Sequence, residues 1–318
     1  MTVRDVLHDG ISRLNDAHVP SHTLAAELLL MHALGRDRAW IYSHPETAIE
    51  PGNAEKYFAL TARRAAGEPT QYLIGRQEFW GLEFEVNPSV LIPRPETEHV
   101  LEVALKRLSA HPSRAVSHNA ADARNIWIAD VGTGSGCIAV ALASELPNAE
   151  ILATDISKDA LEVARRNAAR HSVADRIHFV HTDLLTAFSR PHESRITSPE
   201  SRLTPHHSPI TTRQLLLFDL IVSNPPYVAR DDAASLPIEV REHEPATALF
   251  GGPAGTEIYN RLIDQAGTLL VPGGILVLEL GYNSAPHVRA LLETPAWRRV
   301  EITNDLAGIP RVISAENC

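Results

Sequence analysis

The stretch ADVGTGSGCIAVALA, residues 129–143, reads as the end of an apolar strand, a glycine-rich turn and the start of a helix. Gly132, Thr133, Gly134, Ser135 and Gly136 make the turn. Glycine lets a backbone come close to a ligand, and a helix start offers N–H groups with no intrahelical partner. From Gly134 onward the spacing also satisfies G-x-G-x-x-A, so the turn by itself suits a dinucleotide enzyme as well as other nucleotide-bearing cofactors.

Around this unit, strand and helix alternate. NIWIADVG, EILATDIS, RIHFVHTD, LLLFDLIVSN and GGILVLELG read as buried strands, with helical stretches after the first two, before the last (about 256–270) and after it (about 284–293). That order predicts a parallel sheet with helices on both faces. RRVEITND and PRVISAE close the chain with a tight turn between them, so the last strand is expected to run antiparallel.

Upstream, residues 1–70 carry helical periodicity. Val3, Val6, Leu7, Ile11 and Leu14 share one face, Pro20-Ser21 opens a second run through Leu24, Leu28 and Met31, and a third helix is expected at about 54–66. QYLIGRQEFWGLEFEVNPSVLI, residues 71–92, has the alternation and central glycine of a β-hairpin, and LIPRPETEHVLEVAL starts a helix. The division expected is therefore a helical unit at 1–70, a hairpin connection at 71–92 and an α/β domain at 93–318. Residues 109–124 read as a polar linker. Residues 189–214, rich in Ser, Pro, His and Arg, read as a disordered insertion, and their histidines lack ligand spacing, so no metal site is expected.

Composition narrows the function. Of 318 residues, 29 are Lys or Arg against 39 Asp or Glu, a formal charge of −10 that disfavours direct nucleic-acid binding. Cys137 and Cys318 give no disulfide framework, the N-terminus lacks the apolar core of a signal peptide, and no apolar run approaches membrane-spanning length. The expectation is a cytoplasmic monomer acting on a small molecule or a protein.

Two carboxylates sit at the following strand ends. Asp155 lies where it can accept hydrogen bonds from two ribose hydroxyls, in an NAD or an S-adenosylmethionine site alike, or can instead cap the next helix. Asp183, with Leu184 after it, suits the neighbourhood of an adenine amino group or a plain turn. The fourth strand separates the cofactors. It ends in Asn224, Pro225, Pro226 and Tyr227, which hold an amide, two rigid imides and an aromatic ring. The Asn224 side-chain oxygen and the Pro225 carbonyl form a pair of neutral acceptors suited to a planar NH₂ group. Such a nitrogen is a poor nucleophile until both its N–H bonds are held. A sulfonium-borne methyl is an electrophile that needs no base before the chemical step, and the strip contains none.

On these residues the chain resembles the HemK/PrmC class of protein methyltransferases. GEPTQYLIGRQEFWGLEFEV (67–86), LIPRPETEHV (91–100), DVGTGSGCIAVALA (130–143), FDLIVSNPPYV (218–228), EVREHEPATALFGG (239–252), PGGILVLELG (272–281) and DLAGIPRVI (305–313) are similar to the family's segments, in its order. The resemblance implies a Rossmann-like seven-stranded S-adenosylmethionine-dependent domain behind a helical substrate-docking domain. It implies methyl transfer to a glutamine side-chain amide in peptide chain release factors. The alternative that NPPY leaves open is an amino-methyltransferase acting on adenine in DNA or RNA. By the family's pattern Gly132 to Gly136, Asp155, Asp183, Leu184 and Asn224 hold the cofactor, Asn224 to Tyr227 bind the glutamine amide and carry the catalysis, and Arg94 and Glu96 border that pocket. Ala254 and Thr256 depart from the family's usual residues, which puts the hydrogen bonding of the 251–259 loop in question, and His243 before Glu244-Pro245 is also less typical of the family.

Overall fold

The computed structural model describes residues 1–110, 125–188 and 217–318. The insertion expected at 189–214 and most of the expected linker lie outside them.

The chain opens with helices α1 (Val3–Asp16), α2 (His22–Leu34), α3 (Arg38–Ser43), α4 (Pro51–Ala65) and α5 (Thr70–Ile74). Thr2 and Asp5 form a capping box on α1, and Gly35, at φ +62°, ends α2. Val6, Leu14, Leu29, Leu30, Ile41 and Tyr57 are fully or almost fully buried in one cluster. Leu73 joins that cluster and Ile74 packs on it, which corrects the hairpin boundary expected at 71. The Tyr-Leu-Ile run favours a strand locally, but burial against the helices outweighs so weak a preference. The hairpin itself is only β1 (Arg76–Phe79) and β2 (Leu82–Glu85).

A single turn of 3₁₀ helix at Pro95–Thr97 leads into α6 (Glu98–Ser109). Then come β3 (Ile126–Val131), α7 (Cys137–Glu145), β4 (Ala149–Asp155), α8 (Lys158–Arg170), β5 (Ile177–His181) and β6 (Phe218–Ser223). A short excursion comes next. β7 (Val228–Ala229) pairs in parallel with β8 (Phe250–Gly252), and between them lie a 3₁₀ helix at Arg230–Ser235, α9 (Ile238–His243) and α10 (Ala246–Leu249). Helix α11 (Glu257–Leu269), β9 (Leu270–Glu279), α12 (Ala285–Leu292), β10 (Trp297–Asn304) and β11 (Pro310–Asn317) complete the chain.

The central sheet has seven strands in the order β10-β11-β9-β6-β3-β4-β5, with β11 antiparallel to both of its neighbours and the pairs among the other five parallel. Alternate residues serve opposite faces, as the pleat requires. Leu220 and Val222 pack with α6 and α7, while Ile221 packs with α11 and α12. The chain order reverses direction at β3, so the crevice outside the carboxyl ends of β3 and β6 is the expected ligand position.

Asn167 on α8 ties three elements together at this crevice. It is fully buried; its Oδ1 accepts from the Glu85 N–H at 2.7 Å, and its Nδ2 donates to the carbonyls of Glu85 at 3.0 Å and Ser135 at 2.9 Å. Asn167→Ala takes this partner from the buried Ser135 carbonyl and from the partly buried Glu85 N–H and carbonyl, and the expected loss is about 3 kcal/mol of unfolding free energy, read as a lower urea midpoint at unchanged slope. An unchanged midpoint contradicts this account.

Candidate active site

The glycine-rich turn lies at the end of β3. Gly132, Gly134 and Gly136 all have positive φ, and a Cβ added at Gly132 or Gly134 would meet nothing within 4 Å, so this backbone lines open space. Gly136 is different: a Cβ there would sit 3.0 Å from that of Ala164, so its role is close packing of the turn on α8. Asp155 ends β4, and its carboxylate accepts from the Gly134 N–H at 2.9 Å and the Ser157 N–H at 2.8 Å. The cap of α8 is Ser157, which accepts from the Ala160 N–H, so Asp155 braces the turn rather than capping the helix. Burial holds its pKa above the usual carboxylate range.

Asp130 was not among the residues singled out from the sequence. It is fully buried just before the turn, and its Oδ2 accepts from the Thr133 hydroxyl at 2.6 Å and the Ala139 N–H at 3.2 Å. Oδ1 has no partner, nor has the buried Ser135 hydroxyl. Burial pushes the Asp130 carboxyl up to about 7. A buried carboxylate oxygen left unpaired beside an open loop is a place for a cationic donor. The residues thus fit a cofactor that carries positive charge.

Asp183, two residues beyond β5, pairs with Arg261 at 2.5 Å and is about half exposed. The Thr182 N–H on the Asp155 carbonyl holds the two strand ends side by side. Leu184 has φ +51° and packs on the core. Ile156, directly after Asp155, is a large apolar side chain left 56% exposed at the same rim.

Across the crevice, the Ser223 hydroxyl donates to the Val131 carbonyl at 2.6 Å, locking the end of β6 to the end of β3. Asn224 is the next residue. Its Nδ2 donates to the Thr97 hydroxyl oxygen at 3.1 Å, and that hydroxyl donates to Glu279 Oε2 at 2.6 Å. The Tyr227 hydroxyl reaches Glu279 Oε1 at 3.5 Å. Burial pushes the Glu279 carboxyl up to about 7, with Glu96 adding to the rise and Arg311 opposing it. The path of Pro226 and Tyr227 is fixed by close neighbours. A Cβ at Gly251 would lie 2.4 Å from the Pro226 carbonyl oxygen, one at Gly255 would lie 2.5 Å from that of Tyr227, and one at Gly281 would lie 2.6 Å from the Tyr227 ring.

Asn224 and Tyr227 line a cavity of about 280 Å³, closed by Leu91, Leu236, Val240 and Leu249 and bordered by Arg94. Arg94 Nη2 donates to Glu244 Oε1 at 2.6 Å, and Glu244 is buried, which raises its pKa. Among the cavity's described lining residues Arg94 alone is charged, so the walls favour a neutral guest. The excursion that roofs the cavity is hooked to the helical unit by Arg64 of α4, 2.5 Å from Glu239, and by Ile238 against Gly67.

The structure brings Gly132 to Gly136, Asp155, Asp183 and Asn224 to Tyr227 to one edge of the sheet, with Arg94 facing the cavity. Thr97, Glu279 and Asp130 complete the edge. Asp130 sits immediately before the glycine turn and was legible from its position; Thr97 and Glu279 had no local signal. The departures in the 251–259 loop leave it hydrogen-bonded: the Glu257 carboxylate accepts from the N–H groups of Ala254 and Thr256, each at 3.0 Å. His243 ends α9 immediately before Glu244.

Known proteins share both sequence and fold with this chain. Residues 5–75 match the PrmC N-terminal domain and residues 113–202 the methyltransferase small domain. The structure resembles the catalytic domain of hMettl16 in complex with the MAT2A 3′UTR hairpin 6, with a TM-score of 0.52 and 18% identity over 80% of this chain and 81% of that one, which shows the fold alone. A release factor glutamine methyltransferase from Koribacter versatilis (strain Ellin345) is 38% identical over 314 residues, 98% of each chain. One from Chlorobaculum tepidum (strain ATCC 49652 / DSM 12025 / NBRC 103806 / TLS) is 39% identical over 313 residues, 98% of this chain and 96% of that protein. With identity of that order over 98% of its length, this chain belongs to the release factor glutamine methyltransferase family.

Proposed function

We propose that this protein transfers a methyl group from S-adenosylmethionine to the side-chain amide nitrogen of a glutamine in a peptide chain release factor. The observation that carries the reading is Asn224 at the mouth of a neutral, largely apolar cavity, beside the glycine turn, with its Nδ2 already engaged by Thr97. Its Oδ1 is thereby left to accept from a substrate N–H.

In this reading Asp155 would hold the ribose hydroxyls, Gly132 and Gly134 would let the backbone approach the cofactor, and the exposed Ile156 would offer an apolar contact to the adenine. Asp183 and Leu184 border the base, with Arg261 holding the Asp183 carboxylate in place. Asp130 and its unpaired Oδ1 take the ammonium group. When bound, the cofactor supplies a methyl on a sulfonium, an electrophile that carries its own positive charge.

The substrate glutamine then enters the cavity. Asn224 Oδ1 and the Pro225 carbonyl accept its two N–H bonds, and Tyr227, backed by Gly281, limits the plane in which the amide lies. Holding both protons on acceptors reduces delocalisation of the nitrogen lone pair and aims it at the methyl. Positioning of two bound reactants supplies roughly 7–11 kcal/mol of barrier reduction. The strip holds no base, so the proton that the amide gives up after the chemical step would pass to solvent. The helical unit, the hairpin and the α/β domain divide the work, the first docking the release factor and the last performing the chemistry.

Purified protein mixed with labelled S-adenosylmethionine and either a release factor or an adenine-containing oligonucleotide tests the reading. Label is expected on the release factor, at a glutamine; label on the oligonucleotide alone overturns it. Asn224→Ala is expected to keep cofactor affinity and to lower turnover by about 10² or more, as loss of one preorganised polar group does. Turnover close to that of the unaltered protein removes Asn224 from its role.

Asp130 adds a pH dependence of known sign. Below about pH 7 its carboxyl is protonated in the free protein and must lose that proton to face a cation. Affinity for S-adenosylmethionine therefore rises with pH, by up to about tenfold per pH unit, until about pH 7 and then levels off as far as this residue contributes. Asp130→Asn should bind more weakly and lose that dependence, as measured by calorimetry on both proteins at about pH 6 and about pH 7.5. An identical pH dependence in the two proteins contradicts the assignment.

A further inference from the structure

The two ends of an asparagine amide are alike in shape and opposite in hydrogen-bonding sense, so the role of Asn224 depends on which end faces the cavity. We propose that Thr97 and Glu279 are positioning residues for the reaction, and that together they hold Asn224 with its carbonyl oxygen turned toward the substrate. This inference rests on the reading of Asn224 given above.

The chain of contacts has one direction. A threonine hydroxyl has a single proton, and that of Thr97 is committed to Glu279 Oε2 at 2.6 Å. What Thr97 offers Asn224 is therefore a lone pair, and it receives the Nδ2–H at 3.1 Å. If the amide turned over, Oδ1 would meet a lone pair and the cavity would present a donor to the substrate's N–H groups. Glu279 sets the direction in its ionised form, which accepts at both oxygens. Thr97 donates to one, and the Tyr227 hydroxyl points to the other at 3.5 Å. The strand end is itself immobilised: the Tyr259 hydroxyl donates to the Glu279 carbonyl at 2.8 Å and accepts from the Gly281 N–H at 3.1 Å.

Stability gives no reason for this arrangement. Glu279 and Thr97 are each 2% exposed, and a buried carboxylate costs several kcal/mol of desolvation that an apolar residue of similar volume avoids. The charged groups facing it, Glu96 and Arg311, act in opposite senses. A group kept at such a cost between two residues of the NPPY strip is accounted for by what it does to them.

The test uses the full-length protein with a release factor as substrate. It measures kcat and KM separately, cofactor affinity by calorimetry and melting temperature. Thr97→Ser keeps the hydroxyl and is expected to hold kcat within about threefold of the unaltered protein. Thr97→Val keeps the shape and removes the hydroxyl. Glu279→Met removes both accepting oxygens at similar volume, which frees the Thr97 proton to turn toward Asn224 Oδ1. Both are expected to lower kcat about tenfold or more while KM for the release factor and cofactor affinity move by less than about threefold. A folded Thr97→Val with nearly unaltered kcat overturns the proposal, and so does Thr97→Ser failing as badly as Thr97→Val, which would make the role steric. Should Thr97→Val not fold, Glu279→Met decides by the same criterion. If Asn224→Ala itself keeps full turnover, the reading of Asn224 fails first, and that outcome is distinct from Asn224 mattering while Thr97 and Glu279 do not.

Discussion

The parallel pairing of β6 with β3, closed at its carboxyl end by the Ser223 hydroxyl on the Val131 carbonyl, holds the site together. It sets the glycine turn, which begins one residue beyond β3, beside Asn224, which lies one residue beyond β6. Strands paired at about 4.7–4.9 Å leave little freedom to the residues at their ends. In the proposed reading the turn approaches the cofactor and the NPPY strip the amide, and the pairing brings these two local geometries into one site.

Around that contact the protein places its polar groups sparingly. The cavity is neutral apart from Arg94, and Arg94 is answered by Glu244. The carboxyl groups with strongly raised pKa near the crevice, Asp130 and Glu279, lie on opposite sides of it, one behind the glycine turn and one behind NPPY. Neither is needed as a base for methyl transfer to an amide. Each, when ionised, presents acceptors, Asp130 to the Thr133 hydroxyl of the glycine turn and Glu279 to the hydroxyls of Thr97 and Tyr227. Catalysis of this kind draws on orientation more than on proton transfer.

The roof of the cavity is also its link to the helical unit. The α9 and α10 turns carry Val240 and Leu249 into the cavity and Glu239 and Ile238 outward to Arg64 and Gly67. In the proposed reading, a release factor held by the helical unit would meet a surface continuous with the cavity walls. The hairpin is joined to the same frame by Asn167, whose side chain touches both β2 and the glycine turn.

The cofactor turn, the NPPY strip, the order of the main strands and helices, and the strand-end positions of Asp155 and Asn224 were all legible in the amino-acid sequence, because each is written within one strand–turn–helix unit. The family segments placed Arg94 beside the cavity as well. Long-range packing settled the remainder. Thr97 meets Asn224 across 127 positions of chain and Glu279 across 182, and no local period encodes such a pairing. Helices α5, α9 and α10 run for four to six residues, too short to be stable alone, so they exist only where packing holds them, and a reading of periodicity passes over them. The orientation of the Asn224 amide belongs to the same class: its two ends differ in nothing the sequence records, and a buried hydroxyl and carboxylate from distant segments choose between them.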